Sequence, residues 1–485
     1  MSAANPHHER RWLVLALLGV AQLMVVLDAT IVNIALPSAQ QALDFSDESR
    51  QWIVTAYALA FGSLLLLGGR LGDLFGRKWA LVAGLIGFAT ASAIGGAAQS
   101  FGVLVAARAL QGAFGALLAP AALSLLTTTF TDPSERGRAF GVFGAIAGSG
   151  AALGLLLGGV LTELLSWRWS LYVNLLIAVP AVLAALSLLH NVRPTERPRL
   201  DVAGTLAASA GLFGLVYGFS HAQTSGWGDP VTVAMLGGGA ALLALFAWIE
   251  TRVANPLLPL RVVLDRDRGG AYVAVGVAAA GMFGVFLFLT YYLQQTLGFS
   301  PITTGLAFLP MTVVIMLTAT QVSTKVLPRT GAKPLVTTGM LLASVAMVLL
   351  TQVGVDTAYA THVLPALLVM GLALGLVFAP SMATATAGVA AADAGVASAM
   401  VNTAQQVGGS IGTALLSTLA ASAVASWMST RQPDPAALAE AAVHGYTTAF
   451  WFSAAIFAAG AIVTGLLLRG GAREVQPAAE PVLVH

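Results

Sequence analysis

The sequence predicts an all-α polytopic membrane protein with 14 transmembrane helices, arranged as two six-helix bundles plus two extra helices between them. Three observations carry that reading. Of 485 residues, 57% are hydrophobic and only 9% charged, against about 25% charged in an ordinary soluble domain. Fourteen stretches approach the roughly 20 mainly apolar residues that a helix needs to cross a bilayer. The basic residues are also segregated. With both termini on one side, the connections on that side hold 19 Lys and Arg, and those on the other hold only Arg50, Arg168 and Arg431. That is the positive-inside bias, and it places both termini in the cytoplasm.

In chain order the expected spans lie at about 12–36, 51–69, 79–98, 102–129, 138–162, 169–189 and 203–220, then 231–249, 271–293, 303–323, 334–353, 361–388, 404–427 and 446–468. Arg10 and Arg11 before the first run resemble the start of a signal peptide. The run is too long for one and no small-x-small cleavage site follows, so it reads as a retained first span. The connection 191–201 after the sixth span is rich in Pro and charge, as is 252–268 after the eighth. These two segments bracket the seventh and eighth spans. The chain therefore divides into a first bundle at 1–190, a linker with the two extra helices at 191–268, a second bundle at 269–470 and a cytoplasmic tail at 471–485. A six-plus-six plan implies related bundles facing each other around a site near the midplane. A weak echo supports it. The turn after the second span carries Gly69, Arg70, Gly72, Asp73, Gly76, Arg77 and Lys78, and the turn after the tenth carries Lys325, Arg329, Gly331 and Lys333 without the acid.

Several function classes find no support. A formal net charge of +2 gives no case for nucleic acid, and no cysteine is present for disulfide or thiolate chemistry. The seven histidines, at 7, 8, 190, 221, 362, 444 and 485, fall in tails or expected loops, so no metal site is expected. No Gly-x-x-x-x-Gly-Lys-Ser/Thr loop is present, so ATP is not the expected energy source. The spans show no paired carboxylates, His cluster or nucleophile–base arrangement. The chain therefore reads as no enzyme, with no cofactor.

What remains is chemistry inside the membrane. Asp28 sits within the first apolar run, where an acid costs roughly 2.5–3.5 kcal/mol on insertion scales and is a functional candidate by default. Arg108 sits in the fourth span. Counted from the far ends of their spans at 1.5 Å per residue, both lie roughly 10–12 Å deep. Opposite charges at one depth can pair, which lowers the cost of each. Such a pair is either a static tie between helices or a switchable proton-coupling site, and sequence physics divides evenly between the two. Every other acid falls at a span end or in a connection.

Three further groups stand out. Asp73 and Arg77, in the turn after the second span, can form a cytoplasmic latch, with Arg77 reaching Asp132 or Glu135. The plainer reading of this turn is an ordinary positive-inside loop. The fifth span carries Gly137, Gly141, Gly144, Gly148, Gly150, Gly154, Gly158 and Gly159, most of them three or four apart, which makes a smooth face for close helix packing. Gln111 lies one turn from Arg108. Asn33, Tyr57, Tyr291, Tyr292, Gln294, Gln295, Asn402, Gln405 and Gln406 are scattered polar or aromatic residues. Some are candidate cavity liners, and more than half are expected to be interhelical hydrogen bonds or interface anchors.

Together these residues resemble the major facilitator superfamily, and within it the 14-span drug:proton antiporters of the EmrB/QacA type. Gly69-Arg70-Leu71-Gly72-Asp73-Leu74-Phe75-Gly76-Arg77-Lys78 is similar to that superfamily's loop 2–3 motif, and Arg108-Ala109-Leu110-Gln111-Gly112 to its fourth-helix motif. Leu27-Asp28-Ala29-Thr30-Ile31-Val32-Asn33-Ile34-Ala35-Leu36-Pro37 is similar to the first-helix signature of the 14-span group. Trp167-Arg168-Trp169, Asn255-Pro256-Leu257 and Gln405-Gln406-Val407-Gly408-Gly409 read the same way. The resemblance implies a major facilitator fold and proton-driven export of lipophilic or amphipathic drugs or antibiotics through the bacterial cytoplasmic membrane. It implies proton coupling by Asp28 and Arg108, an inner gate at Asp73 and Arg77, a bundle interface on the fifth-helix glycines, and peripheral seventh and eighth helices. The expected partners are a small lipophilic substrate, protons and the lipid bilayer, and the expected state is a monomer.

The chain departs from the pattern in three places. Leu155 stands where the fifth-helix motif carries proline, and Leu175 follows Asn174 where proline is common. No second acid is embedded in the tenth or thirteenth span, which favours neutral or singly charged substrates. Export of one endogenous metabolite, lipid or peptide, and proton-linked import on the same fold, remain open alternatives.

Overall fold

The computed structural model describes residues 10–45, 47–190, 201–253, 256–390, 393–429, 431 and 434–471. The long helices in chain order are α1 Arg11–Leu43, α2 Asp47–Phe75, α3 Arg77–Gly96, α4 Phe101–Thr129, α5 Pro133–Leu164, α6 Trp169–Leu188 and α7 Val202–Ser225. They continue as α8 Pro230–Glu250, α9 Arg266–Tyr291, α10 Pro301–Gln321, α11 Ala332–Leu350, α12 Leu364–Ala385, α13 Ala394–Met428 and α14 Pro435–Leu467. Among the described residues, 13 helices are long and apolar enough to cross a membrane. α5, at 32 residues, is also a continuous helix at the position of the fifth expected span. Asn255, the linker stretch 191–200, the tail from 472, and the side chains of Asn33 and Leu155 lie outside the described residues.

Several helices overrun the apolar windows. α13 begins at Ala394 rather than near 404, because Ser398 and Asn402 satisfy their side chains on the backbone carbonyls of Ala394 and Ser398 and so remain helical. α14 begins at Pro435, where Asp434 accepts the Ala437 amide at 2.7 Å and Pro435 pre-sets the first turn. As a result His444, and likewise His221, lie inside helices (α14 and α7) rather than in the loops expected for them.

Helices α1–α6 pack on one another, as do α9–α14, and the two groups meet where α5 crosses α10 and α12 and where α2 and α4 meet α13. Lipid tails are as apolar as Leu, so close packing of small residues does the work that burial does in water. A Cβ on Gly112 of α4 would run into the backbone of Tyr57 on α2. On α5 the glycines divide by position. Gly137 and Gly141 approach Ser323 and Ala319 at the end of α10, and Gly144 approaches Ala379 of α12. Gly150, Gly154 and Gly158 instead pack on Val26, Thr30 and Ile31 of α1, so half of the expected bundle-interface face is used inside the first bundle. Gly159 is buried beside them.

Of the two extra helices, α7 is wedged between the two groups and α8 lies on its outer side. α7 packs on α2 of the first group and on α13 of the second, with α8 against its other side. One apolar cluster joins Leu66, Leu212, Phe246, Leu257, Val396 and Ala399 from all four helices and the following linker.

Candidate functional site

Asp28 and Arg108 meet in the middle of the first bundle, and both are essentially inaccessible to solvent (0% and 1% exposed). Arg108 Nη1 donates to Asp28 Oδ2 at 2.5 Å and to Gln111 Oε1 at 2.8 Å, and its Nε donates to the Ile53 carbonyl of α2 at 3.2 Å. The guanidinium carbon lies 4.4 Å from the centroid of the Tyr57 ring, a cation–π contact from α2. Asp28 Oδ1 accepts from Gln111 Nε2 at 2.8 Å and from Asn174 Nδ2 at 2.7 Å. Both amides also reach Ser92 Oγ on α3, at 2.7 and 3.3 Å. Five buried polar side chains from α1, α3, α4 and α6 thus form one network around a single negative charge. Every nitrogen and oxygen of the Asp28, Gln111 and Ser92 side chains in it is engaged, while Asn174 Oδ1 is buried without a partner among the described residues, and loss of any member leaves a further buried polar group unpaired.

Ser92 and Asn174 are functional candidates that charge and depth did not reveal. Asn174 is the only Asn or Gln in the run Trp169–Leu188, and that was the available signal. Asn174→Leu removes one donor from Asp28. It is expected to lower stability by about 1–3 kcal/mol, read by thermal unfolding of the purified protein, whereas Leu175→Ala on the same helix leaves the network intact.

Beyond Arg108, towards the end away from the termini, lies a small apolar cavity lined by Val32, Leu36, Ile53, Leu104, Trp167 and Leu171. The neighbouring Arg168 donates to the carbonyls of Gly96 and Ala98 at 2.8 and 2.6 Å, capping the end of α3. The Trp167-Arg168 pair therefore builds the wall over the buried charges and pins the helix that carries Ser92.

The basic end, where α2 turns into α3, is held shut by contacts between the two groups. Asp73 Oδ1 accepts from Arg77 Nη2 at 3.2 Å and from the Gly395 amide at 3.1 Å, in the first turn of α13. An acid there is favoured by the free amides and dipole of a helix start. Gly69 and Gly395 approach so closely that a Cβ on either would meet the other's carbonyl oxygen. Gly76 turns the chain between α2 and α3 at φ 98°, a conformation suited to glycine. Gly72 lies beside Ala80, and Arg70 is buried near Asp73. Arg136 of α5 donates to the Thr386 carbonyl at 3.3 Å, a second tie across the two groups.

Glu135 and Lys78 are engaged by partners other than the expected gate contacts. Glu135 takes a two-point contact at 2.7 Å from Arg11 of α1, while Arg77 donates to Asp73 one turn away on α2. Asp132 accepts the Glu135 amide at 3.0 Å and so caps α5. Lys78 donates to the Leu186 and Leu189 carbonyls at 2.9 and 2.7 Å, closing the end of α6 rather than the gate.

The expected cavity liners do not share one site. Tyr57 and Gln111 belong to the charge network. Asn402 bonds within α13, Gln405 is half-buried on the same helix, and Tyr291 is exposed where α9 ends. Gln294 follows in a π-helical turn, its amide nitrogen buried.

The fold is that of a helical, multi-pass membrane protein. The profile of the Major Facilitator Superfamily matches residues 18–413, and the chain belongs to that superfamily. It is 50% identical to the puromycin resistance protein pur8 of Streptomyces alboniger over 461 residues, covering 95% of this chain and 92% of that one. It is 38% identical to the cephamycin export protein CmcT of Amycolatopsis lactamdurans, covering 84% and 85% of the two chains. It is 34% identical to the tetracenomycin C resistance and export protein of Streptomyces glaucescens, covering 86% and 77%. The fold is similar to that of the human organic anion transporter MFSD10, with a TM-score of 0.63, 16% identity and coverage of 94% and 99%.

Proposed function

We propose that this chain is a 14-span proton-coupled antiporter that exports lipophilic or amphipathic antibiotics across the bacterial cytoplasmic membrane by alternating access, with both termini cytoplasmic. The observation that carries the reading is the Asp28–Arg108 pair, sealed from solvent and held by Gln111, Ser92 and Asn174. A charge pair buried this completely is costly to keep as packing alone. A carboxylate between a fixed cation and two amides becomes a switch once it can take a proton.

The cycle follows from the contacts. The structure is closed at the basic end through Asp73, Gly395 and Arg136. A proton arriving from the opposite end neutralises Asp28 and weakens its hold on Arg108, which keeps the Ile53 carbonyl and the Tyr57 ring of α2. Arg108 therefore transmits the change to α2, the helix that carries Asp73. The basic end opens, substrate enters from the cytoplasm or inner leaflet, and the proton leaves inward as Arg108 reclaims Asp28. The cycle needs one polypeptide and no nucleotide.

The names of the puromycin, cephamycin and tetracenomycin C relatives each specify one antibiotic, which supports a narrow substrate range, while another relative, at 30% identity, is named for multidrug resistance. Puromycin accumulation in energised cells tests both points. Accumulation is expected to fall when the chain is expressed and to recover with a protonophore. Export of puromycin without export of ethidium supports the narrow reading, and failure of a well-expressed chain to export any antibiotic of this group removes the proposal.

A further inference from the structure

The mechanism above leaves unused a second pair of acids, where the extra helices join the linker. Asp201 caps α7 by accepting the Gly204 amide at 2.9 Å through Oδ1. Glu250 ends α8 and accepts two linker amides, Leu257 on Oε1 at 3.1 Å and Leu258 on Oε2 at 2.9 Å. Both acids are more than nine-tenths buried, at 8% and 6% exposed. The carboxyl groups are within hydrogen-bonding reach of each other, and a Cβ on Gly204 would touch an oxygen of each. Three of the four oxygens accept an N–H. The fourth, Asp201 Oδ2, is buried with no other partner among the described residues. Two carboxylates cannot hydrogen-bond without a proton between them.

We propose that Asp201 and Glu250 hold one shared proton between Asp201 Oδ2 and Glu250 Oε1, and that this proton clasps the extra helices onto the gate at the basic end. The gate assignment rests on the function proposed above; the proton site does not. Among the described residues, no charged side chain on the surrounding elements forms a hydrogen bond or ion pair with either acid. Asp73 of α2 is held by Arg77 and Gly395, Arg261 of the linker turn binds Asp393 at 2.6 Å, and Arg70 of α2 lies by Asp73. Arg252 stands over the Trp248 ring. The charge acting on Glu250 is that of Asp201 itself.

The clasp reaches the gate through the two linker leucines. Leu257 and Leu258, held by their amides on Glu250, pack with Leu66 of α2 and with Val396 and Ala399 of α13. These residues flank the Gly69–Gly395 contact. Arg261, a few residues on, binds Asp393 two residues before Gly395. With the proton in place, α7, α8 and the linker brace both sides of the closed gate. Once it is lost to water at the basic end, two carboxylates repel each other, the α7–α8 junction parts and water reaches the Leu257 and Leu258 amides.

Hydrogen exchange at the Leu257 and Leu258 amides of the full chain in nanodiscs tests this without any transport assay, so its failure is distinct from failure of the export reading. After correction for intrinsic rates, exchange is expected to rise about tenfold or more from about pH 6 to about pH 9, the factor for loss of one charge-assisted hydrogen bond. Asp201→Asn replaces the bridging hydroxyl by an amide donor and is expected to stay slow at both pH values. A native chain with equal corrected exchange at both pH values overturns the proposal, as does an Asp201→Asn chain that speeds up like the native one. If the variant does not fold, the native profile decides.

Discussion

Asp28→Asn is expected to abolish uphill export and to destabilise the folded protein by about 3–5 kcal/mol, the cost of leaving a buried charge without its partner. The asparagine keeps the size of the acid and can still accept from Gln111 and Asn174 at the oxygen they now share. It cannot balance Arg108, which is 1% exposed and stays charged in any surroundings. The partner variant behaves differently. In Arg108→Leu the orphaned acid can take up a proton and become neutral, so the fold loses less. That chain is also fixed in the protonated state and cannot couple. The two variants therefore share a transport defect and differ in stability, with Asp28→Asn the less stable. Thermal unfolding of both purified proteins checks the order, and equal losses would mean that the pair is not carrying opposite full charges.

Gly395→Val is expected to open the basic end without damaging either bundle. The added Cβ would stand 2.5 Å from the Gly69 carbonyl oxygen and 2.6 Å from Asp73 Oδ2. Overpacking of this kind costs about 1–3 kcal/mol. Both contacts lie on α2, across the gate, so the penalty falls on the closed state. A bias of that size moves a two-state equilibrium by about 5–150-fold. The chain has no cysteine of its own, so a single Ala399→Cys, buried at this contact, reports opening through its alkylation rate. The rate is expected to rise by that factor in Gly395→Val. It should stay unchanged with Gly238→Val on α8, where a Cβ meets open space. No change in Gly395→Val would mean that this contact does not set the closed state.

Much of this was legible in the sequence because charge is rare in an apolar chain. Asp28 and Arg108 announced themselves by residue type, and counting rise per residue put them at one depth, where they do meet. The helices were legible because runs of about twenty apolar residues admit few other structures. Ser92 and Asn174 were not, since small polar side chains in such helices commonly bond their own backbone, as Thr90 does to Ile86. The partners of Glu135 and Lys78 were also illegible, because sequence shows that a turn is basic but not which helix end lies beneath it. The bridging role of α7 was hidden for a related reason. An apolar helix facing lipid and one wedged between α2 and α13 have the same composition, and only three-dimensional placement tells them apart.

The most direct test is transport by the purified chain in proteoliposomes with an imposed pH gradient and puromycin as the probe. The native protein is predicted to accumulate puromycin against its gradient on the acidic side, moving protons the other way. Asp28→Asn is predicted to carry it only down its gradient, or not at all. Uphill accumulation by Asp28→Asn equal to that of the native chain, or native transport indifferent to the pH gradient, would contradict proton coupling through the buried pair.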